Sequence, residues 1–317
     1  MRRMGRARRA ACAVAGSAVH RDPDARVPRS VLTAGTNGRG CAGRTAGAGG
    51  MEGERPMDPF AVSAAAQTWD AGVARVPLRV FRRNDGAAGP PVLLLHGFAA
   101  APPGPGDPEA TALAAAGFTT LAVEAPHHGA RRSALVDAVR EAQGPPAHEL
   151  FLRIVREAAA ELPAVVDRAL REFGGPVGVV GISMGAYTAL AAAADDPRLS
   201  VVVSILGSPD WRPRAGEPTP ANRAWLAEAP ARRPERFPPR ALLLANAGRD
   251  ENVPPAASRA FAEVLRPLYA AHPDRFAYLE YPDSGHFLRA ADWNDLWSRA
   301  LAWLGRWLAR GTALPVR

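Results

Sequence analysis

Two periods alternate along this chain from about residue 60 onward: short apolar runs of strand length, and longer stretches with apolar residues every three or four positions. "VARVPLRVFRR" (73–83) predicts an early strand, "PPVLLLHGF" (90–98) a buried strand ending in a turn, and "TTLAVEAP" (119–126) another. Further strands are predicted at "PVGVVGI" (176–182), "LSVVVSILG" (199–207) and "RALLLANAG" (240–248), and "RFAYLEYPDSGH" (275–286) reads as a strand running into a loop. Helices are predicted at 107–118, opened by Asp and closed by Gly, and at 149–175, 184–197, 254–272 and 292–310. "HHGARRS" (127–133) reads as a loop, and a Pro- and Arg-rich insertion fills 208–239. Apolar strands flanked by helices in regular alternation predict the α/β class: a mostly parallel, doubly wound sheet with helices on both faces. In such sheets ligand chemistry gathers where strands end, so each candidate residue should follow a strand.

Composition divides the chain unevenly. Residues 1–56 show no sustained apolar period and are expected to be a disordered basic tail, or sequence ahead of a natural start at Met51 or Met57. Residues 57–317 are expected to form one domain, with 208–239 as a short cap over its site. Of 39 basic and 31 acidic residues, the tail holds 11 and four, which leaves 28 against 27 in the body. The formal charge of +8 is therefore a property of the tail, and the body is not expected to bind nucleic acid. Every one of the 39 is arginine, which reads as biased codon usage more than as a functional choice. Both cysteines, Cys12 and Cys41, fall in the tail, so the body has no disulfide and no thiolate metal site. No run approaches the ~18 apolar residues of a membrane span, and the Ala/Gly-rich start only faintly resembles a signal peptide. A cytoplasmic protein, monomeric or homodimeric, is expected.

"GVVGISMGAYTAL" (178–190) sets Ser183 between two near glycines where a strand gives way to a helix. Glycines at −2 and +2 let a nucleophile sit on a sharp turn, and the helix behind aims its N-terminal N–H groups at developing negative charge. The same pattern also occurs in ordinary turns, so Ser183 needs a base, an acid and an oxyanion site. His286, in "YPDSGHF", follows the last predicted strand and is the candidate base. Asp250, in "ANAGRDENVPP", follows the strand before it and is the candidate carboxylate, with Glu251 and Asp283 as rivals and helix capping as its plain role. In "LLLHGFAA" the turn after His96-Gly97 can aim the Phe98 N–H at the nucleophile. With the Met184 N–H it would form an oxyanion hole, worth ~3 kcal/mol per donor. His96 reads as a structural residue beneath that turn. His148 and His272 fall near helix ends, where solvated or capping roles are expected.

Residues about 73–310 resemble the α/β-hydrolase superfamily, through "HGF", "GISMG", "AGRDENVP" and "SGH" in that order, each after a predicted strand. Within it the chain looks most like bacterial esterases near the dienelactone-hydrolase and prolyl-oligopeptidase-like groups. The resemblance implies a Ser-Asp-His order at 183, 250 and 286. It also likens "EAPHHGARRS" to a loop beside the active site of some of these esterases, so that His127 and His128 either line the pocket or serve the loop structurally. A metal site at these two histidines is rejected, since adjacent side chains diverge and no further ligand set is near. Neither a G-x-G-x-x-G turn after a first strand nor a P-loop lysine is present, and no cofactor is expected.

The resulting expectation is a cofactor-free serine hydrolase acting on a small-molecule ester. Trp211 and Trp225, in the insertion, are expected to supply an apolar wall. Thioesters or short peptides would suit the same machinery. A non-catalytic binding protein of the same fold is the rival from another class, set back because all parts of the triad are retained.

Overall fold

The computed structural model describes residues 61–86 and 88–308; the tail over 1–56 lies outside the described residues. One eight-stranded sheet runs through the domain, in the order β1-β2-β4-β3-β5-β6-β7-β8. β1 (Val62–Asp70) and β2 (Arg75–Arg83) form an antiparallel hairpin, and β2 pairs antiparallel with β4 (Thr119–Val123). From β4 onward every pairing is parallel, through β3 (Pro91–Leu95), β5 (Val177–Ile182), β6 (Leu199–Ile205), β7 (Ala241–Ala247) and β8 (Phe276–Tyr281). The result is a mostly parallel sheet with helices on both faces, as the alternation predicted.

Residues one apart on a strand face opposite sides of a sheet, and the inner strands β3 to β7 are mostly apolar and almost wholly buried because both sides are covered. Leu93, Leu95, Leu121, Val179, Leu242 and Leu244 pack with α3 (Gly144–Phe173), α4 (Met184–Asp195) and α6 (Ala256–Leu268). Val92, Leu94, Val180, Val203 and Leu243 pack on the other side with α1 (Pro108–Ala115) and α7 (Ala290–Leu308). Asp107 caps α1, accepting from the Ala110 N–H at 2.9 Å.

Several elements go beyond the pattern. β1 reads "VSAAAQTWD", too poor in β-formers to declare itself, and only Trp69 in it is fully buried. α2 (Leu135–Glu141) is two turns long, below the length at which a helical period stands out. α3 begins at Gly144, not 149, because Pro145 and Pro146 occupy the first turn, where a missing N–H costs nothing. The insertion 208–239 holds α5 (Pro220–Trp225) and three short 3₁₀ turns. Within it the Trp211 carbonyl accepts from Asn222 Nδ2 at 3.0 Å, and it is pinned to α3 by His148 Nε2, donating to the same carbonyl at 2.9 Å, and by Arg156, which makes a fork to Glu228. His148 thus lies inside α3 and holds the insertion. No described helix is long and apolar enough to cross a membrane.

Replacing fully buried Leu93 by Ala should cost about 3 kcal/mol of unfolding free energy in urea titrations. Val73→Ser, in the hairpin turn at 75% exposure, should stay within about 0.5 kcal/mol.

Candidate active site

At the carboxyl ends of four neighbouring strands the chain enters the left-handed region at a residue other than glycine: Ala99 after β3, His127 after β4, Ser183 after β5 and Leu206 after β6. Such conformations cost of order 1–3 kcal/mol each and persist only where the surroundings impose them. At Ser183 (φ 54°, ψ −114°) the imposing contacts are visible. Its N–H donates to the Ile205 carbonyl at 2.8 Å, and its own carbonyl accepts from Ala186 and Tyr187 at the start of α4. A Cβ on Gly181 would overlap the Gly185 carbonyl, and one on Gly185 the carbonyl of Leu95. Two glycines let the turn close.

The Ser183 hydroxyl donates to His286 Nε2 at 3.0 Å, and the Nδ1–H of His286 donates to Asp250 Oδ2 at 2.7 Å. The Asp250 side chain is fully buried, and its other oxygen accepts from the N–H groups of Asn252 and Val253, both at 2.8 Å. One carboxylate thereby orders its loop with one oxygen and orients the imidazole with the other. Neither rival does this: Asp283 pairs with Arg249 at 2.7 Å in solvent, and Glu251 is exposed.

Across the turn, Gly97 faces the serine, 3.6 Å separating Ser183 Cβ from where a Cβ of Gly97 would stand. The Phe98 N–H donates to no described residue, and that of Met184, first in α4, is a helix-start donor without an intrahelical acceptor.

The turn is held by two buried histidines in reciprocal fashion. His96 Nδ1–H donates to the Gly97 carbonyl at 2.9 Å, and its Nε2 accepts from the Ala125 N–H at 3.0 Å. His128 Nδ1–H donates to the Pro126 carbonyl at 2.8 Å, and its Nε2 accepts from the Ala99 N–H at 3.0 Å. Each loop thus gives an N–H to a histidine of the other, and the rings meet edge to face at 5.1 Å. Burial pulls His96 from 6.5 to about 4, helped by His128 and Arg131, and burial also lowers His128. Both are neutral at pH 7.

His127 points elsewhere, to Ser133 Oγ and Glu157 Oε2, each at 2.6 Å. Arg131 binds Glu161 at 2.7 Å and the Glu124 carbonyl, fastening the same loop to α3. Burial raises the Glu161 carboxyl. Glu124, Arg131, Glu157 and Glu161 carry no sequence signal, since their charges meet only when β4 and α3 are laid together. Trp211 is 2% exposed and belongs to one buried cluster with Met184, Tyr187 and Val253. Trp225 is half-buried, with the Arg156 guanidinium 4.7 Å over its ring. The structure brings Ser183, His286 and Asp250 together and sets Phe98 and Met184 beside them. His127, Trp211 and Trp225 serve the surrounding scaffold.

Residues 92–316 match the family described as Alpha/beta hydrolase family. The chain belongs to that family. A Bacillus subtilis (strain 168) protein named as a candidate esterase, YitV, is 27% identical over 234 residues, covering 65% of this chain and 86% of its own. The structure of TT1662 from Thermus thermophilus superposes with a TM-score of 0.61 at 26% identity, over 77% of this chain and 98% of that one. The Pyrococcus furiosus esterase Pf2001, at 16% identity and a TM-score of 0.56 over 81% and 97% of the two chains, shares the fold.

The histidine brace makes stability depend on pH. An unfolded histidine takes up a proton near pH 6.5, whereas folded His96 refuses it until about pH 4, so stability falls as pH drops through that window. The loss attributable to His96 is on the order of 3 kcal/mol. Urea unfolding at pH 4.5, 5.5 and 6.5 should show a shallower decline in His96→Asn than in wild type; equal slopes would count against the brace.

Proposed function

We propose that this protein is a serine hydrolase that cleaves carboxylic esters of small molecules through an acyl-enzyme. The observation that carries the reading is the unbroken hydrogen-bond line from Ser183 Oγ through both nitrogens of His286 to Asp250 Oδ2. It lies in a member of a hydrolase family, with an esterase-named relative spanning most of its length.

A serine hydroxyl is a weak nucleophile until a base takes its proton as the bond to carbon forms. In this reading Ser183 Oγ attacks the ester carbon while His286 Nε2 accepts the proton. Asp250, buried and hydrogen-bonded to Nδ1, keeps the imidazole in the Nδ1–H tautomer and stabilises the imidazolium. The carbonyl oxygen takes on negative charge, which the Phe98 and Met184 N–H groups receive. Donors fixed in a turn and at a helix start need not reorganise during the reaction. His286 then gives its proton to the departing alcohol oxygen, and water repeats the sequence to release the acid. Residues 208–239 act as the cap, held in one position by the contacts of Trp211 and Arg156.

A fluorophosphonate probe should label the wild type and leave Ser183→Ala unlabelled. Ser183→Ala should lose at least ~10⁴-fold in kcat/KM across an acyl-length panel of esters, with an unchanged circular-dichroism spectrum. Asp250→Asn should lose about 10⁴-fold in kcat because the imidazole would be held in the wrong tautomer. Turnover retained by Ser183→Ala would overturn the assignment.

A further inference from the structure

Four large apolar side chains stand in solvent among the described residues: Val73, Val264, Leu268 and Phe287. Val73 is in the β1–β2 turn, and Val264 and Leu268 lie one turn apart on α6. Phe287 differs in kind. It is aromatic, is 81% exposed, and directly follows the histidine that faces Ser183. Its ring is in contact with that histidine, edge to face, with centroids 5.7 Å apart and planes at 83°. An isolated surface phenylalanine needs no explanation, but one whose ring touches the imidazole at a reaction centre has a defined neighbour on its open side.

The direction of the chemistry says which part of a substrate that neighbour is. One nitrogen, His286 Nε2, takes the serine proton and then delivers it to the leaving oxygen, so that oxygen must come within hydrogen-bond reach of Nε2. The carbonyl oxygen is committed to the other side, toward the N–H groups of Phe98 and Met184. The leaving oxygen is therefore on the His286 side of the site, and His286 is the residue whose ring Phe287 contacts. On the Phe98 turn, which faces Ser183, the Phe98 ring meets Phe151 at 6.0 Å and Phe151 meets Tyr187 at 5.2 Å, a separate group of rings.

We infer that Phe287 is a specificity residue for the leaving group, favouring esters of bulky apolar alcohols such as benzyl alcohol over esters of short ones. The inference rests on the ester-hydrolase reading above and adds the side of the substrate on which selection acts. A benzyl or branched alkyl group covers the exposed ring as the ester binds and as it reaches the transition state. An ethyl group is too short to do so.

The test measures kcat/KM, which reports acylation, for Phe287→Ala and Phe287→Leu on two series. One holds the acyl group at butyryl and compares ethyl with benzyl esters; the other holds ethyl and varies the acid from acetyl to phenylacetyl. The benzyl-to-ethyl ratio should fall about tenfold in Phe287→Ala and by less in Phe287→Leu, in line with the discrimination that apolar contact supplies. The acetyl-to-phenylacetyl ratio should hold. Loss of equal size on all esters, or a change confined to the acyl series, overturns the assignment. So does sedimentation showing that Phe287→Ala converts a dimer to a monomer while the benzyl-to-ethyl ratio is unchanged, which would make the ring an interface between copies. Fluorophosphonate labelling of Ser183 in the same variants separates the two levels. A wild type that is neither labelled nor active refutes the hydrolase reading itself, whereas labelled, active variants with an unmoved ratio refute only the role of Phe287.

Discussion

The burial of the Asp250 carboxyl is the constraint on which the site turns. A carboxylate removed from water is costly unless its lone pairs are met, and here every partner is supplied by the chain. Two backbone N–H groups, of Asn252 and Val253, bind one oxygen, and the imidazole of His286 binds the other. Those contacts shape the segment between β7 and α6 and fix which nitrogen of His286 carries the proton. They leave the opposite nitrogen facing Ser183 at 3.0 Å. Removing the carboxylate would thus disturb a loop, a tautomer and a proton acceptor together.

Around that line the sheet concentrates its irregularities. Ala99, His127, Ser183 and Leu206 each take a left-handed conformation just after a strand, on the edge where the parallel strands end. The central strands β3 to β7 are buried on both faces, and that packed base is what can impose such conformations. The His96–His128 brace works in the same way. Each ring satisfies a backbone donor that a sharp turn would otherwise leave stranded, and neutrality at pH 7 keeps the nitrogen free to accept.

Much of this was legible in the chain because parallel strands are buried on both sides and read as unbroken apolar runs. "VLLL", "VGVV" and "ALLL" located their strands, and the residues following them located Ser183, Asp250 and the turn at Phe98. What escaped had weak local signals. The hairpin strand β1 is alanine-rich, α2 is two turns long, and Gly144-Pro145-Pro146 resembles a breaker although proline is welcome in a first turn. His127 and His128 could not be separated, since adjacent residues look equivalent in sequence. In the fold their side chains diverge, one to Ser133 and Glu157, the other under the Phe98 turn. Trp211 illustrates the opposite case. An aromatic residue in an insertion suggested a wall, and its carbonyl and ring instead tie that insertion to α3 and α4.

The double glycine requirement at the strand-to-helix turn has a bearing on substitution. Gly181 is closed by a carbonyl of its own turn and Gly185 by a carbonyl of β3, so neither position can drift by even a methyl group. Phe287, 81% exposed, meets no such backbone barrier. Side chains can therefore be exchanged at the exposed position with little effect on the backbone, whereas the turn admits no added methyl group.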